Sequence, residues 1–313
     1  MRVYIAGHRG MVGKALIRRL SKSPYVDEVV APEGRGPDLR VASQVEGVLR
    51  DLRPDAVVLA AARVGGIGAN SSLPVEFMLD NMLIGMNVVS AAHCAGIGRL
   101  VNLGSSCIYP RAAQQPLRPE ALLTGELEPT NEAYALAKIA TLRLCQYYRR
   151  EYGRRYVSVM PTNLYGPEDR YSLDASHVLP TLIMKFEGAR INGGPVTLWG
   201  TGTPFREFLH VDDLADAVAV ALRDYDDDAP INVGSGVEVT IMQLAELVSE
   251  LTGYRGLIEW DESKPDGMPR KILDSSKIRE LGWSPKISLR EGVEKTIQEY
   301  RAIQSRRSDG MVR

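Results

Sequence analysis

This sequence predicts an α/β protein built on a doubly wound parallel sheet, and three observations carry the prediction. Short apolar strands alternate with helix-favouring runs across the first 160 residues. Those strands are apolar along their whole length, as expected for strands covered on both faces, and not at every second position. A glycine-rich turn, Gly7 to Gly13, joins the first strand pattern to the first helix pattern, which is the punctuation of a βαβ unit.

Taken in order, Val3 to Ala6 reads as the first strand, and a helical run extends from Met11 to about Ser21. Later strands are Asp27 to Val30, Ala56 to Ala61, Leu100 to Leu103 and Tyr156 to Met160. Helix-like segments lie between them near Val41 to Asp51, Pro74 to Ala95 and Asn131 to Tyr152. From about Tyr165 onward short apolar segments mix with glycine and proline turns, and Arg306 to Arg313 reads as a frayed polar tail. A chain of 313 residues accommodates one large or two unequal domains.

Composition narrows the function classes. A formal net charge of −1 gives no reason to expect nucleic acid or an acidic membrane surface as partner. No apolar run reads as long enough to span a bilayer. Met1 to Ala6 passes straight into a strand without a signal-peptide pattern, so a cytoplasmic location is expected. The three cysteines, Cys94, Cys107 and Cys145, are odd in number and lack metal-ligand spacing, which disfavours a disulfide framework or a metal site.

Gly7, Gly10 and Gly13 each have a physical task in a strand–turn–helix setting. The first accepts an unusual backbone conformation, the second lets the backbone approach a pyrophosphate, and the third permits close helix–sheet packing. The helix N-terminus then faces the phosphates. The spacing Gly-x-x-Gly-x-x-Gly is a variant of the dinucleotide fingerprint, and the flanking strand and helix supply its required context. After the second strand, Arg35 and the turn residue Arg9 are placed to grip a ribose 2′-phosphate, with Asp38 left to contact adenine. Glu33 argues the other way or is simply solvated. NADP(H) is the cofactor this pattern favours.

Directly after the strand Leu100 to Leu103 comes Gly104-Ser105-Ser106-Cys107. Reactive groups gather at the carboxyl ends of strands in an open parallel sheet, so the Ser105 hydroxyl can meet a carbonyl oxygen that gains charge during reduction. Tyr134 and Lys138, four apart on a helix, project from one face. An ammonium beside a phenol favours phenolate, so the Tyr134 pKa is expected to fall. Alone, Tyr-x-x-x-Lys arises by chance and Gly-Ser-Ser is a polar loop; both reaching one crevice is what argues for function. Cys94 and Cys145 read as filler in helical runs, Lys14 as a solvated helix face, and His210 as part of a structural turn.

With Gly7 to Gly13, Ser105, Tyr134 and Lys138 in hand, the chain resembles the extended short-chain dehydrogenase/reductase family. Within it the chain is similar to the branch that epimerises and reduces GDP-4-keto-6-deoxy-mannose. The stretches that carry this are Ala60 to Ile67, Gly104 to Pro110, Glu128 to Glu132, Met160 to Pro167, Arg206 to Asp213 and Lys264 to Lys271. The resemblance implies a Rossmann-type doubly wound domain over 1–165, with 205–222 returning to it, and a smaller C-terminal α/β domain over 166–313 that binds the sugar nucleotide.

The chemistry implied is inversion at C3 and C5 followed by NADPH-dependent reduction at C4, giving GDP-L-fucose. Cys107 falls at the position of the base and His177 at that of the acid; a thiolate serves as a base where positive charge or polar donors stabilise it, and histidine titrates near neutral pH. Tyr134 is the implied proton donor, Ser105 the carbonyl's hydrogen-bond donor, and Lys138 the residue that lowers the tyrosine pKa and holds the nicotinamide ribose. Cofactor contacts are implied for Gly7, Arg9, Gly10, Met11, Val12, Gly13, Arg35, Asp38, Leu39, Ala61, Pro161, Leu164 and His177. Substrate contacts are implied for Asn163 at the diphosphate or sugar, Lys185 and Arg206 at phosphates, Trp199 at guanine, and Asp266 and Lys271 at the nucleoside. Lys185 stands where the family often has arginine, which keeps charge but loses bidentate geometry. A homodimer through Pro74 to Ala95 and Asn131 to Tyr152 is implied, with Ala140, Leu144 and Tyr148 on the α-helical face left for a partner. Two alternatives stand beside this reading: an enzyme acting on another GDP-4-keto sugar such as a 6-deoxy-heptose, and a non-catalytic NADP-binding protein.

Overall fold

The computed structural model describes residues 1–32, 34, 36–169, 171 and 177–311, the last five by backbone alone. The first half runs β1 (Arg2–Ala6), α1 (Met11–Leu20), β2 (Glu28–Val30), α2 (Ala42–Leu52), β3 (Ala56–Leu59), α3 (Ile67–Ser72), α4 (Pro74–Cys94), β4 (Arg99–Leu103), α5 (Glu132–Tyr152) and β5 (Arg155–Pro161). The second half runs β6 (Asn163–Tyr165), α6 (Val178–Asn192), β7 (Val196–Trp199), β8 (Phe205–His210), α7 (Val211–Asp224), β9 (Ile231–Val233), β10 (Glu238–Thr240), α8 (Ile241–Thr252), β11 (Ile258–Asp261), β12 (Arg270–Lys271), α9 (Ser276–Glu280) and α10 (Leu289–Met311).

Six strands form the main sheet in the order β2-β1-β3-β4-β5-β9, every neighbouring pair parallel. The strands are apolar throughout because helices cover both faces. On one face α1 and α7 pack Leu16, Leu20, Leu214, Val218 and Leu222 against Val3, Ile5, Val101 and Val157. On the other, α2 and α4 bring Val45, Leu49, Val88 and Val89 against Tyr4, Val57 and Leu100. Fully burying one such side chain is worth about 1.5–3 kcal/mol, so the two faces together set where the strand ends, and hence the crevice, lie.

β8 organises a second sheet, with β10 antiparallel to it and β12 and β6 parallel. β7 and β11 form a separate parallel pair. A core including Tyr165, Leu182, Phe186, Phe208, Leu244 and Val248 holds these elements to α6, α8 and α10.

Several expectations are corrected. The return expected over 205–222 begins later: β8 pairs within the smaller sheet, whereas α7 and then β9 go back to the main one. β9 is three residues long, too short to show a period. Among the described residues one helix, α4, is after all long and apolar enough to cross a membrane by length and composition. Its apolarity has a local cause, since Phe77, Val88, Val89 and Ala92 are buried, and Gly85 crosses so close to Thr141 of α5 that a Cβ would collide with it. The α5 face expected to be free is also occupied. Leu144 and Tyr148 pack against the core shared with α4, and the Tyr148 hydroxyl hydrogen-bonds the Ser90 hydroxyl at 3.3 Å. Leu136 and Tyr147 are exposed on α5 instead.

Candidate active site

The turn after β1 is shaped by its glycines. Gly7 has φ +97°, and a Cβ there would lie 2.7 Å from the Ala61 backbone nitrogen at the end of β3. A Cβ on Gly13 would run into the Gly7 carbonyl oxygen. Gly10 differs, for a Cβ there would meet its nearest neighbour, the Gly7 carbonyl oxygen, at an ordinary 3.6 Å. Among the described residues α1 has no side-chain cap and no acidic residue in its first turn, so the N–H groups around Met11 and Val12 and the positive end of the helix dipole suit a pyrophosphate. Arg9 is exposed beside them, while Arg35 lies outside the described residues. Asp38 receives Arg40 through Nε at 2.9 Å and Nη2 at 2.8 Å, and Leu39 accepts from the Asn87 side chain at 3.0 Å.

At the end of β4, a Cβ on Gly104 would collide with the Met160 side chain, so the chain passes tight against β5 before turning outward. Ser105 then caps a short 3-10 turn, its Oγ accepting from Cys107 N at 3.2 Å. Tyr134, near the start of α5, lies close enough to the Ser105 hydroxyl for it to favour the phenolate. One turn on, Lys138 is buried and its Nζ donates to the Leu103 carbonyl at 2.9 Å.

The electrostatics contradict the expected fall in the Tyr134 pKa. Burial pushes the phenol well above its usual value, charge on Cys107 pushes the same way, and the Ser105 hydroxyl opposes them. Lys138 lies 5.9 Å from the Tyr134 ring centroid, engaged by Leu103, and burial pulls its own pKa down to about 8. Desolvation outweighs the pair attraction, since a low-dielectric site disfavours either charge.

A second cluster surrounds Cys107. Its Sγ accepts from Asn131 Nδ2 and from Lys271 Nζ, each at 3.4 Å. Lys271 is buried on β12, in register with Arg206 on β8. Pairing with β8 thus brings Lys271, expected at the nucleoside, against the cysteine. His177 precedes α6 as its N-cap. It is reached by solvent yet crowded by protein, and its pKa falls below the ordinary value through lost hydration and then through the Lys271 charge.

The remaining candidates hold other partners. Lys185 Nζ donates to Thr197 O at 2.6 Å, and Trp199 is 57% exposed with the Lys264 ammonium 5.6 Å from its ring centroid. The Asp266 carboxylate accepts from the Thr201 N–H and hydroxyl, each at 2.8 Å. Arg206 donates to Phe205 O and Asp266 O at 2.8 and 3.2 Å, and Asn163 Nδ2 donates to Glu207 O at 2.8 Å. Pro161 closes β5 and Leu164 lies within β6. Sequence reasoning missed Asn131 and Glu207. Asn131 sits three residues before Tyr134, a signal that was available. The fully buried Glu207 carboxylate accepts from Gly236 N at 2.6 Å and Leu273 N at 3.1 Å, a role invisible without the fold.

Residues 3–234 match the model of the NAD dependent epimerase/dehydratase family. The chain is 49% identical over 300 residues to GDP-L-fucose synthase 1 of Arabidopsis thaliana, covering 96% of this chain and 93% of that one. It is 46% identical over 316 residues to GDP-L-fucose synthase of Escherichia coli (strain K12), covering 97% and 98%. A crystal structure of a GDP-D-glycero-L-gluco-heptose synthase from Campylobacter jejuni in the presence of NADPH superposes with a TM-score of 0.87 at 28% identity, covering 96% and 98%.

Proposed function

Because this chain belongs to the NAD dependent epimerase/dehydratase family, we propose that it is a bifunctional enzyme that converts GDP-4-keto-6-deoxy-D-mannose to GDP-L-fucose using NADPH. The observation that carries the reading is the adjacency of two proton-handling sets. Ser105, Tyr134 and Lys138 make one; Cys107 lies beside them, its sulfur near enough to Tyr134 to act on its ionisation, and His177 is related to Cys107 through Lys271, which acts on both.

Inversion comes first. The Cys107 thiolate takes the proton from C3, and the electron pair moves into the C3–C4 bond to form an enolate. Charge on the 4-oxygen is met by the Ser105 and Tyr134 hydroxyls, donors aimed where it develops. His177 returns a proton to the opposite face. Cys107 has gained a proton and His177 has lost one, so each exchanges with solvent before the same steps run at C5. When bound, reduced nicotinamide supplies the hydride that reaches C4. Tyr134 delivers the proton to the 4-oxygen, and burial keeps the phenol protonated until that step. Arg9 and the turn at Gly10 suit the cofactor phosphates, Lys185 and Arg206 the sugar diphosphate, and the exposed Trp199 face a guanine ring.

The reading is tested by supplying NADPH and GDP-4-keto-6-deoxy-mannose in deuterated water and identifying the product. GDP-L-fucose deuterated at C3 and C5 is expected. A sugar reduced without inversion, or no turnover beside turnover of a GDP-4-keto heptose, overturns it. The heptose is the second reading, favoured by the likeness to a heptose synthase.

We also infer a twofold homodimer. Val75, Leu79, Leu83 and Met86 are exposed on α4 at spacings that place them in one stripe, beside exposed Leu136 and Tyr147 on α5. A contiguous apolar stripe of this kind is covered most simply by its own copy across a twofold axis.

A further inference from the structure

Two N–H donors converge on the Cys107 sulfur from segments far apart in the chain: Asn131 Nδ2, just before α5, and Lys271 Nζ on β12, each at 3.4 Å. A neutral thiol is a weak acceptor and gains little from them, whereas a thiolate gains a charge-assisted pair. The lysine is also held in place. β12 pairs with β8, Ile272 is bonded on both sides through Gln115 Oε1 at 3.1 Å and Leu117 N at 2.8 Å, and Leu273 N donates to the buried Glu207 carboxylate at 3.1 Å. Only 7% of Lys271 meets solvent, so its charge is little screened.

We propose that Lys271 is a positioning residue for the epimerase half of the reaction, holding Cys107 as the thiolate with Asn131 as second donor. The inference rests on the proposed function in naming Cys107 as the base. On ionising, the thiol loses its proton to solvent in the cleft, and the sulfur's charge is then met by the Lys271 and Asn131 N–H groups. Among the described residues, Arg206 and Tyr134 also interact electrostatically with Cys107, and His177 with Lys271. Arg206 adds positive charge. Tyr134 keeps its proton for the later reduction because burial first, and then charge on the sulfur, oppose its ionisation. Lys271 acts on His177 in the opposite sense to Cys107, favouring release of the imidazolium proton. One ammonium thereby prepares a base and sharpens an acid.

The test is alkylation of Cys107 by iodoacetamide in the full-length protein, followed site by site by peptide mass spectrometry, with no sugar present. At pH 7, Lys271→Met and Lys271→Gln are expected to slow alkylation of Cys107 by about tenfold or more, since the thiolate is the nucleophile. Lys271→Arg restores most of the rate. The exposed Cys94 serves as reference and keeps its rate in every variant. The proposal is overturned if either neutral variant alkylates Cys107 at the wild-type rate, or if Lys271→Arg is as slow as Lys271→Met. The readout needs no turnover, so a protein that fails to convert the GDP-4-keto sugar but shows this pattern separates failure of the proposed function from failure of the lysine's role.

Discussion

Lys138 carries a charge the fold tolerates poorly, and replacing it with methionine should stabilise the protein while abolishing reduction. Burial lowers its pKa from 10.5 to about 8, which corresponds to about 3 kcal/mol of unmet charge at neutral pH. Its hydrogen bond to Leu103 O returns about 1 kcal/mol. Methionine keeps the apolar stem, so the net gain for Lys138→Met at pH 7 is about 2 kcal/mol. The sign with pH follows from proton counts. Between pH 8 and 10.5 the unfolded chain binds the proton more than the folded one, so wild-type stability from this group rises with pH across that window. Below pH 8 both states hold the proton and the penalty is constant. The advantage of the variant is therefore full at pH 7 and falls to near zero at about pH 9.5. Urea unfolding followed by circular dichroism at both pH values, without nucleotide, measures it. A variant less stable than wild type at pH 7, or an advantage that does not shrink by pH 9.5, would refute the reasoning.

Other outcomes separate the two chemistries and the assembly. Cys107→Ser should slow deuterium incorporation at C3 and C5 by about 10²–10⁴-fold, the usual worth of a positioned base, while NADPH oxidation continues and uninverted sugar is released. Tyr134→Phe should reverse that pattern, with exchange continuing as nicotinamide oxidation, followed by absorbance, nearly stops. Arg9→Ala should weaken NADPH relative to NADH by about 1.5–3 kcal/mol if a charge-assisted hydrogen bond to the 2′-phosphate is lost; equal weakening in titration calorimetry counts against the assignment. Leu83→Asp, in the middle of the exposed α4 stripe, should give a monomeric mass by light scattering at micromolar concentration, and an unchanged dimer would place the interface elsewhere.

What the sequence determined by itself was whatever depends on near neighbours. The strand, Gly7 turn and helix at the start are legible because each needs only a few consecutive residues, and the φ of +97° at Gly7 is a local demand. Ser105 at the end of β4 and the shared face of Tyr134 and Lys138 follow from strand and helix periods alone. Tertiary structure decided the rest. β9 is three residues and becomes a strand only because β5 offers it an edge. The α5 face at Leu144 and Tyr148 looked free until α4 was packed against it. The Tyr134 pKa rises where a helix-face argument had it falling, because desolvation is a property of everything that surrounds a group and not of its partner one turn away. Lys271 reaches Cys107 only through the pairing of β12 with β8, and no pattern within either segment records that two residues so distant along the chain share one sulfur atom.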